Sequence, residues 1–506
     1  MFWLFLLISL IGYFCYVVIV QRVKLMTRTP AWLLWWVVMT PALCLTTWLI
    51  VMGPQTPMPM PLALLIFVGC FVLYVVLIQR GRPSNGGPIE PTAASQTTTQ
   101  TTNQTTPKTL PESLNEPITI RSLTLEEEGE LRKCFPWGTY YLQSIDYRPQ
   151  AVICRGQLRG EPDVAYQTVE EKVKETFGNR FFLVFQEGPS EKPFFALVPN
   201  PQGDRALTSR MIRQPGMAGL MAMLTALMTT WSGQVLIKQV GLSETPSFAD
   251  GVPYAVALMG FFLIREGGHY WTTLRYRIPA TLPYFIPMLP LPQLPIGTVG
   301  AFIQIRAPIP NRKALFDIGV IGALMGLVVA IALLAYGLSR SEVVGYPPGF
   351  RPSVFKFEAM LPEYSILFTI IAKSVLGGAL EAKRAIALHP IAVAGWLGVL
   401  FTAFNLMPVG QLDGGRMVHA IFGQRQGAMI GQVGRLTLLL LSVMQPHLLL
   451  WAVLLFFLPT INEPTLNDVT DLDNVRDAIG IVTLVVLLLI IVPTPKILLT
   501  ALGMGG

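Results

Sequence analysis

Charge is what this sequence has least of. Only 13% of its 506 residues are charged, 52% are hydrophobic and the mean hydropathy is +0.52. Soluble globular proteins carry about 25% charged residues. The composition therefore excludes an ordinary soluble protein and leaves a membrane protein of many spans with room for one modest soluble part. Cysteine is scarce as well. Cys15, Cys44, Cys70, Cys134 and Cys154 form no Cys-x-x-Cys pair, which argues against a cysteine zinc site. Three of them lie in apolar runs. The four histidines are His269, His389, His419 and His447, so any histidine metal site is easily enumerated. The net charge of +7 comes without a basic stripe interleaved with aromatics, so nucleic acid is not an expected partner. No internal repeat or matched pair of broken helices is evident, which argues against a transporter or channel.

What is present is a series of apolar runs. The opening "MFWLFLLISLIGYFCYVVIV" lacks a basic leading region and a small-residue cleavage site, so it reads as a first transmembrane helix rather than a signal or transit peptide. Residues 31–52 and 61–77 read as a second and third, since about 20 apolar residues cross a bilayer. Arg22, Lys24 and Arg28 follow the first run and Arg80 and Arg82 follow the third, whereas the loop at 53–60 has no charge. The positive-inside rule then puts residue 80 in the cytoplasm. Further apolar spans are expected at about 217–240, 253–275, 315–338, 362–379, 387–408, 427–458 and 477–500.

Two polar regions interrupt this pattern. Residues 81–115 are rich in Thr, Gln, Pro and Gly, have almost nothing to bury, and are expected to be a disordered linker. Residues 116–210 are polar enough to fold in water. "YYLQSIDYRPQAVICRGQL" and "RFFLVFQEGPSEKPFFALVPNP" read as strands, the second a hairpin about Gly188-Pro189-Ser190. "EPDVAYQTVEEKVKETFG" reads as an amphipathic helix ending at Gly178. This small α+β domain is expected in the cytoplasm, where Cys134 and Cys154 stay free thiols. The fold class is thus mostly α. It is a polytopic helical membrane protein with a three-helix anchor at 1–80, the linker, the α+β domain and a transmembrane core at 215–506.

Chemistry concentrates in three stretches of that core. "FFLIREGGHYW" (261–271) has Arg265, Glu266 and His269 in helical spacing, with 265 and 269 on one face. It differs from the zinc signature His-Glu-x-x-His only in that Arg265 stands where the first His would be. "NLMPVGQLDGGRM" (405–417) breaks a helix with Pro408, Gly410, Gly414 and Gly415, and leaves Asp413 at the start of a new one. A carboxylate inside an apolar region is a functional candidate by default. "TLPYFIPMLPLPQLPIGTVGAFIQI" (281–305) is too rich in Pro and Gly for a straight helix. It reads as a re-entrant loop followed by a β-hairpin, with an edge on which an extended peptide could pair.

Together these stretches resemble the site-2 protease family of intramembrane zinc metalloproteases. "CRGQLRGEP" in the soluble domain is similar to the Gly-Asn-Leu-Arg motif of the branch containing the chloroplast ethylene-dependent gravitropism-deficient, yellow-green proteins and their cyanobacterial relatives. The resemblance covers about residues 116–500 and implies a cyanobacterial-type source and a plasma or thylakoid membrane. It implies that Glu266 is the general base and acid, that His269 and Asp413 are zinc ligands, and that Asn405 orients the oxyanion or substrate. It further implies transmembrane protein substrates or partners. Three features depart from the pattern: Arg265, "IGALMG" (321–326) in place of Ala-Gly-Pro-Leu-Ala-Gly, and Arg416 where His is frequent.

Arg265 removes one ligand of three and aims a permanent cation at the metal position. Asp413 and His419 are six residues apart, about 240° around a helix, so His419 is not expected to replace the lost ligand. A buried arginine needs a partner. Asp413 is the first choice and Glu266 the second, unless Arg265 snorkels to the membrane surface. The expected function is binding of transmembrane segments or partner proteins with impaired or no proteolysis. The alternative is an active zinc protease, with Zn2+ as cofactor.

Overall fold

The computed structural model describes residues 30–52, scattered positions between 62 and 77, and 123–504. The latter stretch has gaps at 149–150, 189–191, 201–214, 291–294, 346–353, 382–383, 445–447, 460–461 and 463. The expected first span and the linker lie outside the described residues. The chain divides into two compact units. The first contains helix α1 (Ala31–Met52), uniformly apolar and without charge.

The second unit begins with a four-stranded antiparallel sheet of order β1-β2-β4-β3, from Tyr140–Arg148, Ala151–Leu158, Phe181–Glu187 and Pro193–Pro199. Helix α2 (Leu125–Lys133) starts in a capping box, in which Thr124 and Glu127 satisfy each other's backbone N–H. Helix α3 (Pro162–Phe177) has Pro at its first turn and stops at Gly178, whose φ of +60° suits a residue without a Cβ. The stretch expected as one strand region at 140–158 is a hairpin with a bulge at Leu142/Ser144. Opposite the bulge, any side chain at Gly156 would collide with the Tyr141 carbonyl and lie 2.7 Å from the Tyr140 ring. Phe185 and Phe195 face each other across β3 and β4 and stack at 4.1 Å, with Tyr140 edge-on to Phe195 at 4.8 Å. Val169 and Val173 of α3 close this core.

Four helices among the described residues are long and apolar enough to cross a membrane. These are α4 (Pro215–Val240), α5 (Val252–Arg275, preceded by a 3-10 turn), α6 (Arg312–Leu338) and, later, α11 (Asn474–Ile491). The expected spans at 362–379 and 387–408 are shorter. Helix α7 (Ile366–Leu376) has 11 residues and ends at Gly377, and α8 (Pro390–Leu406) has 17. At 1.5 Å per residue even α8 falls short of a bilayer core of about 30 Å. The run expected at 427–458 is divided between α9 (Asp413–Met444), kinked at Gly423 with φ +80°, and α10 (Leu449–Phe457). The last helix is α12 (Lys496–Ala501). Two short strands, β7 (Glu342–Gly345) and β8 (Arg384–Ala387), pair antiparallel.

The Pro/Gly-rich segment 281–305 is a single hairpin, not a loop followed by one. Strands β5 (Tyr284–Pro287) and β6 (Thr298–Phe302) pair antiparallel, and an outer bridge joins Ala280 to Ile305. Proline at 283, 287, 290, 292 and 295 forbids helix, whereas a two-stranded ribbon tolerates it where no inward N–H is needed. The Tyr254 hydroxyl of α5 donates to the Ile296 carbonyl at 2.9 Å and ties the hairpin to the bundle.

Segment 464–470, for which no element is expected from composition or periodicity, forms an extended connection. Asn467 bridges in parallel to Phe185 of β3 on one side and to Asn311, ahead of α6, on the other.

Helices α5, α6 and α8 pack almost backbone to backbone. A side chain at Gly268 would come within 2.9 Å of the Gly322 Cα, and one at Gly395 within 2.7 Å of the Leu334 Cα and 2.9 Å of the Ala330 carbonyl. Between lipid-embedded helices such small residues permit the close van der Waals contact that replaces the hydrophobic drive. Gly395→Ala therefore forces α6 and α8 apart. It should cost about 1–3 kcal/mol, read as a lowered unfolding temperature in detergent; an unchanged temperature would contradict this packing.

Cys134 and Cys154 are buried free thiols. Burial, with Cys134 alongside, pushes the Cys154 thiol up to about 12. A raised value keeps the thiol protonated and unreactive at neutral pH. Neither cysteine should react with a water-soluble maleimide at neutral pH until the chain is denatured; rapid labelling of Cys154 in the folded protein would refute this.

Candidate functional site

The site is assembled by three helices and one turn. Helix α5 carries Arg265, Glu266 and His269, and all three side chains are buried. Asp413 opens α9, directly after the turn at 407–412. Its glycines are sterically required. A side chain at Gly414 would strike the Leu406 carbonyl and lie 2.6 Å from that of Met407, and one at Gly415 would lie 2.6 Å from the Val409 carbonyl carbon. Gly410, with φ +49°, reverses the chain. Residues 413–415 thus fold back onto 406–410 and direct Asp413, at the first turn of α9, into the bundle. A carboxylate there also faces the positive end of the helix dipole.

The guanidinium of Arg265 joins the two carboxylates. Its Nη1 donates to Glu266 Oε1 and its Nη2 to Asp413 Oδ2. Arg265 is 5% exposed, which rules out snorkelling to the membrane surface. Arg416 is a distant second cation, with Nη1 3.8 Å from Asp413 Oδ1. His269 Nδ1 donates to the Ile318 carbonyl of α6 at 2.6 Å, since a carbonyl only accepts. That bond fixes the ring and turns Nε2 toward Asp413 Oδ2, 3.4 Å away, where it has no hydrogen-bond partner.

Helix α6 supplies the floor. Its glycines at 319, 322 and 326 lie on one face. A side chain at Gly319 would come within 2.8 Å of the Asp413 carbonyl. One at Gly322 would sit 2.5 Å from the His269 ring, and one at Gly326 3.0–3.3 Å from the Arg265 stem. From sequence, "IGALMG" was noted only for its departures, at Ile321, Ala323 and Met325. Its glycines 322 and 326, with Gly319 just before it, are the ones that seat the site, and the three- and four-residue spacing of the three is the available signal.

The remaining sequence candidates separate from this cluster. The Asn405 amide donates to the Phe401 carbonyl one turn earlier in α8 at 2.8 Å, away from Arg265, Glu266, His269 and Asp413. His419 bonds to Asp468 at 2.8 Å. His389 is the N-cap of α8, with Nδ1 accepting from the Ile391 N–H at 3.3 Å. His447 lies outside the described residues.

These elements match known sequences. Residues 253–444 match peptidase family M50. The chain carries an M50, or site-2 protease, domain. Residues 129–205 match the EGY3 middle domain. The chain is 26% identical over 408 residues to the probable zinc metalloprotease EGY1, chloroplastic, of Arabidopsis thaliana, covering 74% of this chain and 72% of that one. It is 26% identical over 370 residues to the probable zinc metalloprotease EGY2, chloroplastic, of the same plant, covering 71% and 63%. Against the probable zinc metalloprotease EGY3, chloroplastic, of Oryza sativa subsp. japonica, it is 26% identical over 391 residues, covering 74% and 65%. No solved structure matches the chain.

The M50 domain's donor set can be tested for zinc on chemistry alone. A catalytic zinc takes three protein ligands and a water. Here His269 Nε2 and Asp413 are the two expected ligands that meet among the described residues, and the guanidinium already holds Asp413 Oδ2 as it does Glu266 Oε1. Among the described residues no group of three or more His, Cys, Asp and Glu is arranged to hold a metal. The residues present do not fit a zinc ion.

Removing the cation should expose what it holds. Arg265→Leu leaves two buried carboxylates with only Arg416, 3.8 Å from Asp413, as counter-charge, and losing one partner of a buried pair costs about 3–5 kcal/mol. Thermal unfolding in detergent should show a large drop, partly recovered by adding Asp413→Asn. Wild-type stability in Arg265→Leu alone would mean that the pair contributes nothing.

Proposed function

We propose that this protein uses its M50 domain to bind transmembrane segments or partner proteins, with impaired or no proteolytic activity. One observation carries the reading: the side chain at the first-ligand position of the HExxH-like motif is a guanidinium engaged with both Glu266 and Asp413. Glu266 in the family's role must accept a proton from water, and Asp413 must present an oxygen to the metal. Both oxygens are hydrogen-bonded to a cation that is never deprotonated in practice. The ion pair holds α5 and the α9 turn together, the mechanical part of what a metal bridge would do. The β5–β6 hairpin supports the binding role, because its strands offer an edge on which an extended segment can pair.

The protein on this reading is a multi-pass membrane protein, in a plasma or thylakoid membrane. Residues 116–210 act as a regulatory handle on the cytoplasmic side, and 1–80 as an anchor. The bilayer and membrane proteins are its partners.

The active-protease reading is kept in view by one feature. His269 still turns Nε2 toward Asp413 with Nδ1 fixed on a backbone carbonyl, the arrangement that ligating histidines use. The two readings separate on the zinc content of the full purified chain beside Arg265→His. We expect essentially none in wild type and about one zinc per chain in the variant. About one zinc in wild type, with proteolysis abolished by Glu266→Gln, would overturn the proposal.

A further inference from the structure

Segment 464–470 does more than connect two helices. Its backbone is shared between the soluble sheet and the membrane core. The Phe185 N–H of β3 donates to the Leu466 carbonyl at 2.7 Å, and the Asp468 N–H to the Phe185 carbonyl at 2.9 Å. On the other side the N–H groups of Leu466 and Asn467 donate to the carbonyls of Ile309 and Pro310, both at 2.9 Å. The segment is therefore bridged to the edge strand β3 of the soluble sheet and is also a partner of the chain entering α6. Its apolar side chains divide in the same way. Leu466 and Val469 pack on the soluble core, and Leu472 on the cluster containing Phe316, Val320 and Met417.

The polar side chains of this region grip the start of α9. Asn462 Nδ2 donates to the Gly415 carbonyl at 3.0 Å, two residues from Asp413. Asp468 Oδ1 accepts from His419 Nε2 at 2.8 Å and from Thr465 Oγ1 at 3.0 Å, all three residues buried. Arg312, at the start of α6, donates to the carbonyls of Ala420 and Ile421, each at 2.7 Å, just before the Gly423 kink, and pairs with Asp471 at 3.1 Å. The first turns of α9 are thus held at residues 415, 419 and 420–421 by side chains on or beside the shared strand.

We infer that Asn462 and Asp468 are positioning residues for the Asp413 turn, and that the soluble sheet, by fixing their strand, sets how that turn meets α5 and α6. This rests on the proposed reading that the Asp413 turn is the functional site, but it concerns coupling and not catalysis. A partner that strains or steadies the soluble domain would then act on the Asp413–Arg265 contact through this strand.

Amide hydrogen exchange on the full chain in lipid nanodiscs tests it, with no dependence on zinc or proteolysis. Asp468→Ala should accelerate exchange across 414–419 about tenfold, the equivalent of losing a buried hydrogen bond. Asp468→Asn, which keeps an acceptor oxygen, should restore it. Val152→Ala, in β2 and separated from the shared strand by β4 and β3, should accelerate both β3 and 414–419 while α4 stays unchanged. Three results would overturn the inference: β3 accelerating in Val152→Ala without 414–419, equal acceleration in α4, or wild-type exchange in Asp468→Ala. The zinc measurement above answers separately whether the site is silent.

Discussion

A guanidinium between two carboxylates, inside a bundle of apolar helices, organises this molecule. None of the three charges is stable alone at that depth; the guanidinium offsets one of the two negative charges and hydrogen-bonds both carboxylates. Arg265 and Glu266 are neighbours on α5, but Asp413 arrives from 148 residues away along the chain. Every surrounding feature makes that meeting possible. The paired glycines 414 and 415 let the α9 turn fold back on the end of α8. The glycine face of α6 leaves room for the Arg265 stem, the His269 ring and the Asp413 backbone, so the charged groups meet where a row of leucines would have kept them apart. In a lipid solvent the energy of such a contact is geometric. It depends on helix backbones approaching closely enough, which only residues without side chains allow.

The chemistry of the proposal follows from the difference between an arginine and a histidine at one position. A neutral imidazole offers a lone pair to a metal; a guanidinium offers only donors and a fixed charge. The same scaffold then converts from presenting oxygens to a dication to clamping them with a monocation. His269 keeps its bond to the Ile318 carbonyl, so the ring stays fixed toward Asp413 although a guanidinium stands at position 265.

In the proposed coupling, the four-stranded sheet and the helical core are joined through backbone as well as side chains. An extended segment bonded to the edge of one sheet and to the entry of α6 cannot shift relative to either without breaking hydrogen bonds on both sides. Because its neighbours also hold Gly415 and His419, the α9 turn is held from the polar side by the same segment. The Asp413 carboxylate is therefore constrained from within the bundle by Arg265 and from outside by the shared strand.

Much of this was legible before the fold was known. Apolar runs of about 20 residues announced four spans, because bilayer thickness imposes a length that composition reveals directly. The α3 helix and its stop at Gly178 followed from periodicity and a glycine cap. Arg265, Glu266, His269 and Asp413 stood out because charge is rare where they lie, and Asp413 as the partner of Arg265 followed from the cost of leaving either alone. Other features were not legible. The 17-residue α8 and the kinked α9 looked like ordinary spans, since hydropathy does not register where a helix stops. Asn405 looked like a site residue because it shares a motif with Asp413, yet its amide turns back to its own helix. Segment 464–470 has neither periodicity nor apolar length, and its role exists only when β3 and the entry to α6 flank it. The sequence by itself determined which residues carry charge into the bundle and which runs cross it, because those are properties of local composition. The tertiary structure decided what those charges touch, because a pairing between residues 265 and 413, or 185 and 467, is settled by helix separation and strand register that no local stretch contains.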